Sequence, residues 1–267
     1  MPPANKPIKT SGSSYKKGDR IAKVIARAGI CSRREAERWI GDGRVILDGK
    51  VLTTPAVNVT TASQILVDGT PLPAEAPTRL WRYHKPAGLL NTHKDPQGRP
   101  TLFENLPTSL PRLISVGRLD INSEGLLLIT NDGELARRLE LPSTDWPRQY
   151  RVRVRGYIEQ EALAELENGI NVGGIRFGPI KAILDRQLGA NAWITLSLAE
   201  GKNREVRKVM EFLGWPVNRL IRVAYGPFRL GNLAKGALDE VKPKSLREQL
   251  GYETKQGNYG AHRRRQV

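Results

Sequence analysis

The order of apolar and polar residues divides the chain into two differently built parts. In DRIAKVIARAGICSRREAERWI, residues 19–40, Ile21, Val24, Ile25 and Ala28 fall on one stripe at helical spacing. Gly29 interrupts that stripe. Ser32 then offers a side-chain cap to a second helix carrying Ala36, Trp39 and Ile40. Two short β-like pieces follow, RVILDGKVL and ILVDGTPL, each turning at an Asp-Gly pair, Asp48-Gly49 and Asp68-Gly69. Residues 16–72 therefore read as a compact module of two helices and then strands. The stretch PLPAEAPT, Pro71 to Thr78, has linker composition, which sets the linker at 73–78.

Beyond it the periodicity changes. LWRYHKPAGLLNT predicts a strand, a Pro-Ala-Gly turn and a return strand. The apolar run Leu126 to Ile129 predicts a buried strand, ended at Thr130-Asn131-Asp132-Gly133, with ELARRLEL starting a short helix. RQYRVRVRGYI alternates Tyr150, Val152 and Val154 with arginines, the pattern of a strand with one wet face. EQEALAELENGI reads as a short helix and AWITLSLAEG as a strand. NREVRKVMEFLG places Val206, Val209, Met210 and Leu213 on one helix side, with Asn203 as cap and Gly214 as stop. NRLIRVAYGPFRL reads as a further strand pair. Helices and strands do not alternate as in βαβ units, so the predicted class is α+β with a mostly antiparallel mixed sheet flanked by helices. Residues 79–250 form this second domain. Residues 1–15 and 251–267 are polar, the latter basic, and are expected to be a disordered segment and a flexible arm.

Charge narrows the partners. The 267 residues carry 43 Lys or Arg against 27 Asp or Glu, a net +16, which favours a polyanion held through phosphate contacts. No apolar run approaches the roughly 18 residues of a spanning helix, and the N-terminal stretch lacks the apolar core of a signal peptide, so the expectation is a cytoplasmic protein without membrane contact. Cys31 is alone, and His84, His93 and His262 are scattered. Neither a disulfide framework nor a familiar zinc spacing results, and no metal is expected.

Candidate chemistry starts at Asp120 in VGRLDINSEGLLLITND. A carboxylate beside a buried strand is costly unless paired. It either closes a turn through the backbone of Asn122 or Ser123, or it works as a charge in a dry place. A cation is then required to keep it ionised. Arg207, read from its own helix alone, is a solvated position paired with Glu211. Tyr150 is either a core aromatic or a ring placed for stacking. Residues 202–235 hold eight Lys or Arg against two acids, and residues 16–50 hold ten against five. Lys23, Arg27, Ser32, Arg33, Arg34, Arg44, Lys202 and Arg204 are the candidate phosphate contacts. A merely solvated basic face competes for each of them singly.

The first module, RIAKVIARAGICSRREAERWI through GRVILDGKV, resembles an S4 RNA-binding domain, a small α-L fold. The remainder resembles a pseudouridine synthase of the small-ribosomal-subunit synthase A type. The motifs that carry this resemblance are KPAGLLNTHKDPQGRPT, VGRLDINSEGLLLITNDGELARRL, RQYRVRV, EGKNREVRKVMEFLG and RLIRVAYGPFRLG, in that order. The resemblance implies a cofactor-independent isomerisation of uridine already in ribosomal RNA, 23S RNA of the large subunit, as free RNA or in a precursor particle, by a monomer. The N1–C1′ bond breaks and C5 joins C1′, after the base leaves its stack. Asp120 matches the essential aspartate, which attacks C1′ or removes a sugar proton. Tyr150 matches the active-site tyrosine, and Arg207 matches the active-site basic residue, which the resemblance implies is ion-paired with Asp120. Arg118 resembles the side chain that enters the space of the flipped base, with a surface arginine as the equal alternative. Leu220 supplies an apolar wall. The competing reading is a non-catalytic S4-type RNA-binding or ribosome-assembly factor. A methyltransferase would want a cofactor loop at a strand end, and a nuclease clustered acids.

Overall fold

The computed structural model describes residues 18–141 and 144–250. The segment 1–15 and the arm 251–267 lie outside the described residues. The chain divides into two compact units, one comprising residues up to Arg79 with those from Lys242 onward, the other Leu80 to Val241.

In the first unit, β1 (Asp19–Arg20), α1 (Ile21–Arg27) and α2 (Arg33–Gly41) precede β2 (Val45–Leu47), β3 (Lys50–Leu52), β4 (Asn58–Val59), β5 (Ile65–Val67) and β6 (Thr70–Pro71). The predicted stripe is the core: Ile21 and Ile25 of α1 pack with Ala36 and Ile40 of α2 against Val45, Val59, Ile65 and Val67. Ser32 Oγ accepts the Glu35 N–H at 3.1 Å, so the expected helix cap forms. Strands β3-β2-β5-β6 form an antiparallel sheet. Both Asp-Gly turns put two successive residues at positive φ (Asp48 49°, Gly49 81°; Asp68 51°, Gly69 77°), as tight hairpins require. The linker stretch is tied to α1, because Arg27 donates to Thr78 Oγ1 at 3.0 Å and pairs with Glu75 at 2.7 Å.

The second unit contains β7 (Leu80–Lys85), β8 (Ile114–Val116), β9 (Glu124–Thr130), α3 (Gly133–Glu140), β10 (Arg148–Arg155), α4 (Gln160–Ala164), β11 (Ile170–Val172), β12 (Ile175–Phe177), β13 (Ile180–Leu188), β14 (Asn191–Leu198), α5 (Glu205–Phe212), β15 (Val217–Tyr225), β16 (Phe228–Arg229) and β17 (Leu238–Glu240). A final helix, α6 (Pro243–Leu250), was not read from the sequence; its residues, placed at the end of 79–250, group by their contacts with the first unit. The main sheet runs β13-β14-β10-β15-β9-β7-β17, with β16 on β15 and β8 on β9. Every pairing in it is antiparallel except β15 with β9. The return strand expected after Pro86-Ala87-Gly88 does not form. Leu90 makes only an isolated bridge to Thr101, and β7 pairs with β9 and β17. The intervening segment prefers a turn around Asp95, whose carboxylate accepts the N–H groups of Gln97 and Arg99.

One face of β10, β13 and β14 buries Val152, Val154, Ala182, Ala192, Ile194 and Leu196 against Leu163 of α4 and Val206, Val209 and Met210 of α5. The helix side read from NREVRKVMEFLG is therefore the inward side. Residues Arg151, Arg153 and Arg155 of β10 are exposed on the opposite face.

Candidate active site

Asp120 lies between β8 and β9, just before the sheet's only parallel junction among the described residues. Its main chain is held from several sides. The Ser123 N–H donates to Asp120 O at 3.0 Å, closing the turn, and the Gly88 N–H donates to Ile121 O at 2.7 Å. Lys85 is fully buried at the end of β7, and its Nζ donates to the carbonyls of Asp120, Ile121, Ser123 and Pro86 at 3.0 to 3.4 Å. Burial pulls Lys85 down to about 8, against the fields of Asp120 and Glu124. Beyond the turn, β9 runs beside β15 so closely that only glycine fits at 125. A Cβ there would sit 2.3 Å from Arg222 O, and φ is +106°.

Backbone groups thus close the Asp120 turn, and the carboxylate does not. Among the described residues its one hydrogen-bonding partner is Arg204, whose Nη1 lies 3.5 Å from Oδ2. The side chain, 31% exposed, faces a cavity of about 670 Å³. Arg118, Tyr150 and Leu220 line the same cavity, as do Lys202, Arg204 and Arg207. The catalytic and base-flipping candidates therefore converge on one hollow.

The expected Asp120–Arg207 ion pair is not formed. Arg207 donates instead to Asn122 O at 3.0 Å and Val217 O at 3.2 Å. It tethers the Asp120 turn to β15 through carbonyls, and Asp120 acts on it through space. Burial lowers the Arg207 pKa, as does Arg204, while Asp120 raises it. The paired-with-Glu211 alternative also fails, since both donors point inward. Arg204 takes the nearer position because its backbone is left-handed, at φ 52° and ψ 29°. A non-glycine residue there is strained by about 1 kcal/mol, a geometry that concentrates at working sites.

Arg204 also occupies the helix-cap position expected for Asn203, with no side-chain cap bond. The capping task passes to Glu205, whose Oε2 accepts the Lys202 N–H at 2.8 Å. Glu205 is only 3% exposed, and its Oε1 has no conventional donor. Its neighbour Glu200 accepts the Gly178 N–H and pairs with Lys202 at 2.8 Å. Burial first, and then the Glu200 charge, push Glu205 up to about 7, against the Lys202 N–H that favours its ionised form. The Glu200 charge thus favours the neutral form of Glu205.

Lys85, Glu205, Arg148 and Arg222 escaped the sequence reading. Arg148 Nη2 donates to Tyr225 Oη at 3.2 Å, and Arg222 Nε donates to Leu126 O at 2.7 Å. All four are charged residues at inward positions of their elements, so a charge interrupting a buried face was the available signal.

In the first unit the basic candidates differ in how free they are. Lys23 pairs with Asp19 at 2.7 Å, and Arg27 is committed to the linker. Arg44 makes a two-pronged contact with Asp68 and lies over the Trp39 ring. Ser32 is used as a cap. Arg33 and Arg34, at the start of α2, are exposed.

The family described as RNA pseudouridylate synthase matches residues 79–212, and the S4 domain matches residues 19–69. The chain belongs to the RNA pseudouridine synthase family and carries an S4 domain ahead of the synthase domain. An uncharacterized RNA pseudouridine synthase of Rickettsia felis is 48% identical over 227 residues, covering 85% of this chain and 98% of the relative. Ribosomal large subunit pseudouridine synthase B of Salmonella typhi is 46% identical over 232 residues, 84% of this chain and 79% of that one. The Haemophilus influenzae protein of the same name is 40% identical over 262 residues, 94% of this chain and 73% of that one. A crystal structure of a pseudouridylate synthase superposes with a TM-score of 0.63 at 24% identity, covering 87% of this chain and 99% of that chain, and so shares the fold.

Proposed function

We propose that this synthase converts a uridine of large-subunit ribosomal RNA to pseudouridine, as a monomer in the cytoplasm, with Asp120 as the reacting carboxylate. The names of the Salmonella and Haemophilus relatives support the choice of RNA. The observation that carries Asp120 is its carboxylate, which the turn's own backbone leaves unused and which faces the cavity beside Tyr150, Arg204 and Arg207.

In the reaction the target uridine leaves its stack and enters the cavity. The N1–C1′ bond breaks, the uracil turns, and C5 bonds to C1′. The C5 proton leaves to solvent while N1 is protonated, so the product is an isomer and no group donor is consumed. Asp120 acts on the sugar, by adding to C1′ or by taking a sugar proton. Both routes need an ionised carboxylate, and the Arg204 and Arg207 guanidiniums supply the stabilising field. The Tyr150 ring gives the uracil a stacking face and Leu220 an apolar wall. Arg118, exposed at the rim, fills the space the base vacates. Lys202 and Arg204 meet backbone phosphates, and Arg33 and Arg34 do so in the S4 domain, where Lys23, Arg27, Ser32 and Arg44 shape the helix pair and its surroundings. The S4 domain (16–72), joined through 73–78, raises the effective concentration of RNA at the synthase domain.

The test uses large-subunit ribosomal RNA carrying tritium at uracil C5. Purified protein should release tritium from it without an added cofactor, at a stoichiometry of one site. Absence of release from both the free RNA and precursor particles would overturn this reading.

A further inference from the structure

The sheet face opposite the cavity is unusually charged for a surface with no catalytic task. Along β10 it presents Arg151, Arg153 and Arg155, all exposed. Beside them stand Trp193 and Thr195 of β14, and Arg219 and Ile221 of β15. The pairing register sets Arg186, Trp193, Arg153 and Arg219 in one row across four strands. On the outer strand β13, Lys181 is exposed, Ile183 is 49% exposed and Leu188 is 50% exposed. Among the described residues, the acids that contact this set are Asp185, which lies 3.7 Å from Arg151 and accepts from Thr195, and Glu124, which binds Arg219 and Lys235. Lys181, Arg153, Arg155 and Arg186 make no ion pair among the described residues.

Bare solvation would explain one such cation and does not require this order. The arginines of β10 recur every second residue, about 6.6 Å apart, a step comparable with that between successive phosphates of an extended strand. Trp193 lies in the same row with the Arg151 guanidinium 4.8 Å from its ring centroid. Cations flanking an accessible aromatic, with apolar side chains at the margin, match a single strand held by its phosphates and by base stacking.

We propose that this open face of β13, β14, β10 and β15 binds a second, single-stranded segment of RNA, apart from the segment whose uridine enters the cavity. The inference rests on the reading of the protein as an RNA-modifying enzyme and extends it. Because the face and the cavity lie on opposite sides of the sheet, the enzyme would sit between two stretches of a large folded RNA. An isolated stem-loop would engage only one of them.

The test is binding of a fluorescent oligouridine strand as a function of salt, with wild type and with an Arg153→Gln/Arg155→Gln double variant. Loss of two phosphate contacts should weaken binding about tenfold and flatten the log–log salt slope by about 1.4. Tritium release from saturating RNA should stay within about twofold. A folded double variant with unchanged affinity and unchanged slope overturns the proposal. Should that variant misfold, ultraviolet crosslinking of wild-type protein to the same strand decides, with crosslinks expected at Trp193 and in 148–155. Crosslinks confined to other segments overturn it. Neither strand binding nor crosslinking needs turnover, so failure of this inference is separable from failure of the functional reading.

Discussion

The Asp120 carboxylate lies 3.5 Å from one guanidinium, Arg204, while a second, Arg207, is spent on two carbonyls. The division has a physical sense. A buried fork that fixes the Asp120 turn sets geometry, and an exposed one beside the carboxylate supplies charge without locking it into a tight pair. The segment that carries Arg204 depends in turn on the Glu200–Glu205 pair. Glu205 titrates at about 7 in the folded chain against 4.5 in the unfolded one. Below pH 4.5 both states hold the proton. As pH rises from 4.5 to 7, the unfolded state loses its proton first, so stability falls through that window and levels off above it. We expect the wild-type melting temperature to decline between pH 5 and 7.5. Glu205→Gln, which keeps the carbonyl acceptor and cannot ionise, should remove the decline and gain on the order of 1 to 3 kcal/mol above pH 7. Parallel melting curves for the two proteins would contradict a Glu205 carboxyl held neutral by burial and the Glu200 charge. None of this was legible in EGKNREVRKV, because the contact of Glu200 with Glu205 depends on how the chain turns into α5. Arg207 was recognisable as important, and its true partners were not, since carbonyl acceptors leave no trace in side-chain identity.

At the scale of elements, the parallel contact between β9 and β15 places the Asp120 turn against the strand that brings Leu220 and Arg222 to the cavity. Gly125 permits that contact. Gly125→Ala should cost about 2–4 kcal/mol, since its Cβ would meet the rigid Arg222 backbone and the left-handed φ disfavours any side chain. Thermal denaturation should show a melting temperature lower by several degrees, with less tritium released at a temperature where wild type remains folded. A variant that melts with wild type would contradict the close β9–β15 approach. Elements with a strict period were readable in advance: the α1 stripe, the Asp-Gly hairpins, the alternation in β10 and the inward side of α5. The missing return strand after Gly88 shows where period fails. Leu89 and Leu90 are apolar enough to suggest a strand, but the Asp95 turn that follows satisfies its own backbone locally and leaves only the single Leu90–Thr101 bridge. The absence of βαβ alternation indicated a mostly antiparallel sheet, whereas its single parallel pairing joins strands far apart in sequence and could not be read from either alone.

For the whole molecule, a net charge of +16 spread over both units makes RNA affinity a distributed property. In the mechanism we propose, chemistry is by contrast concentrated in the Asp120 carboxylate, which faces one cavity. The two properties should therefore separate cleanly. Removing a single negative charge from a surface rich in cations leaves phosphate contacts intact, and removes the group proposed to act on the sugar. The most direct measurement is a paired assay of Asp120→Asn on tritiated large-subunit ribosomal RNA. RNA binding equal to or slightly tighter than wild type, with tritium release reduced at least about 1,000-fold, is the predicted outcome. Release within a few fold of wild type would contradict the assignment of Asp120 as the reacting group.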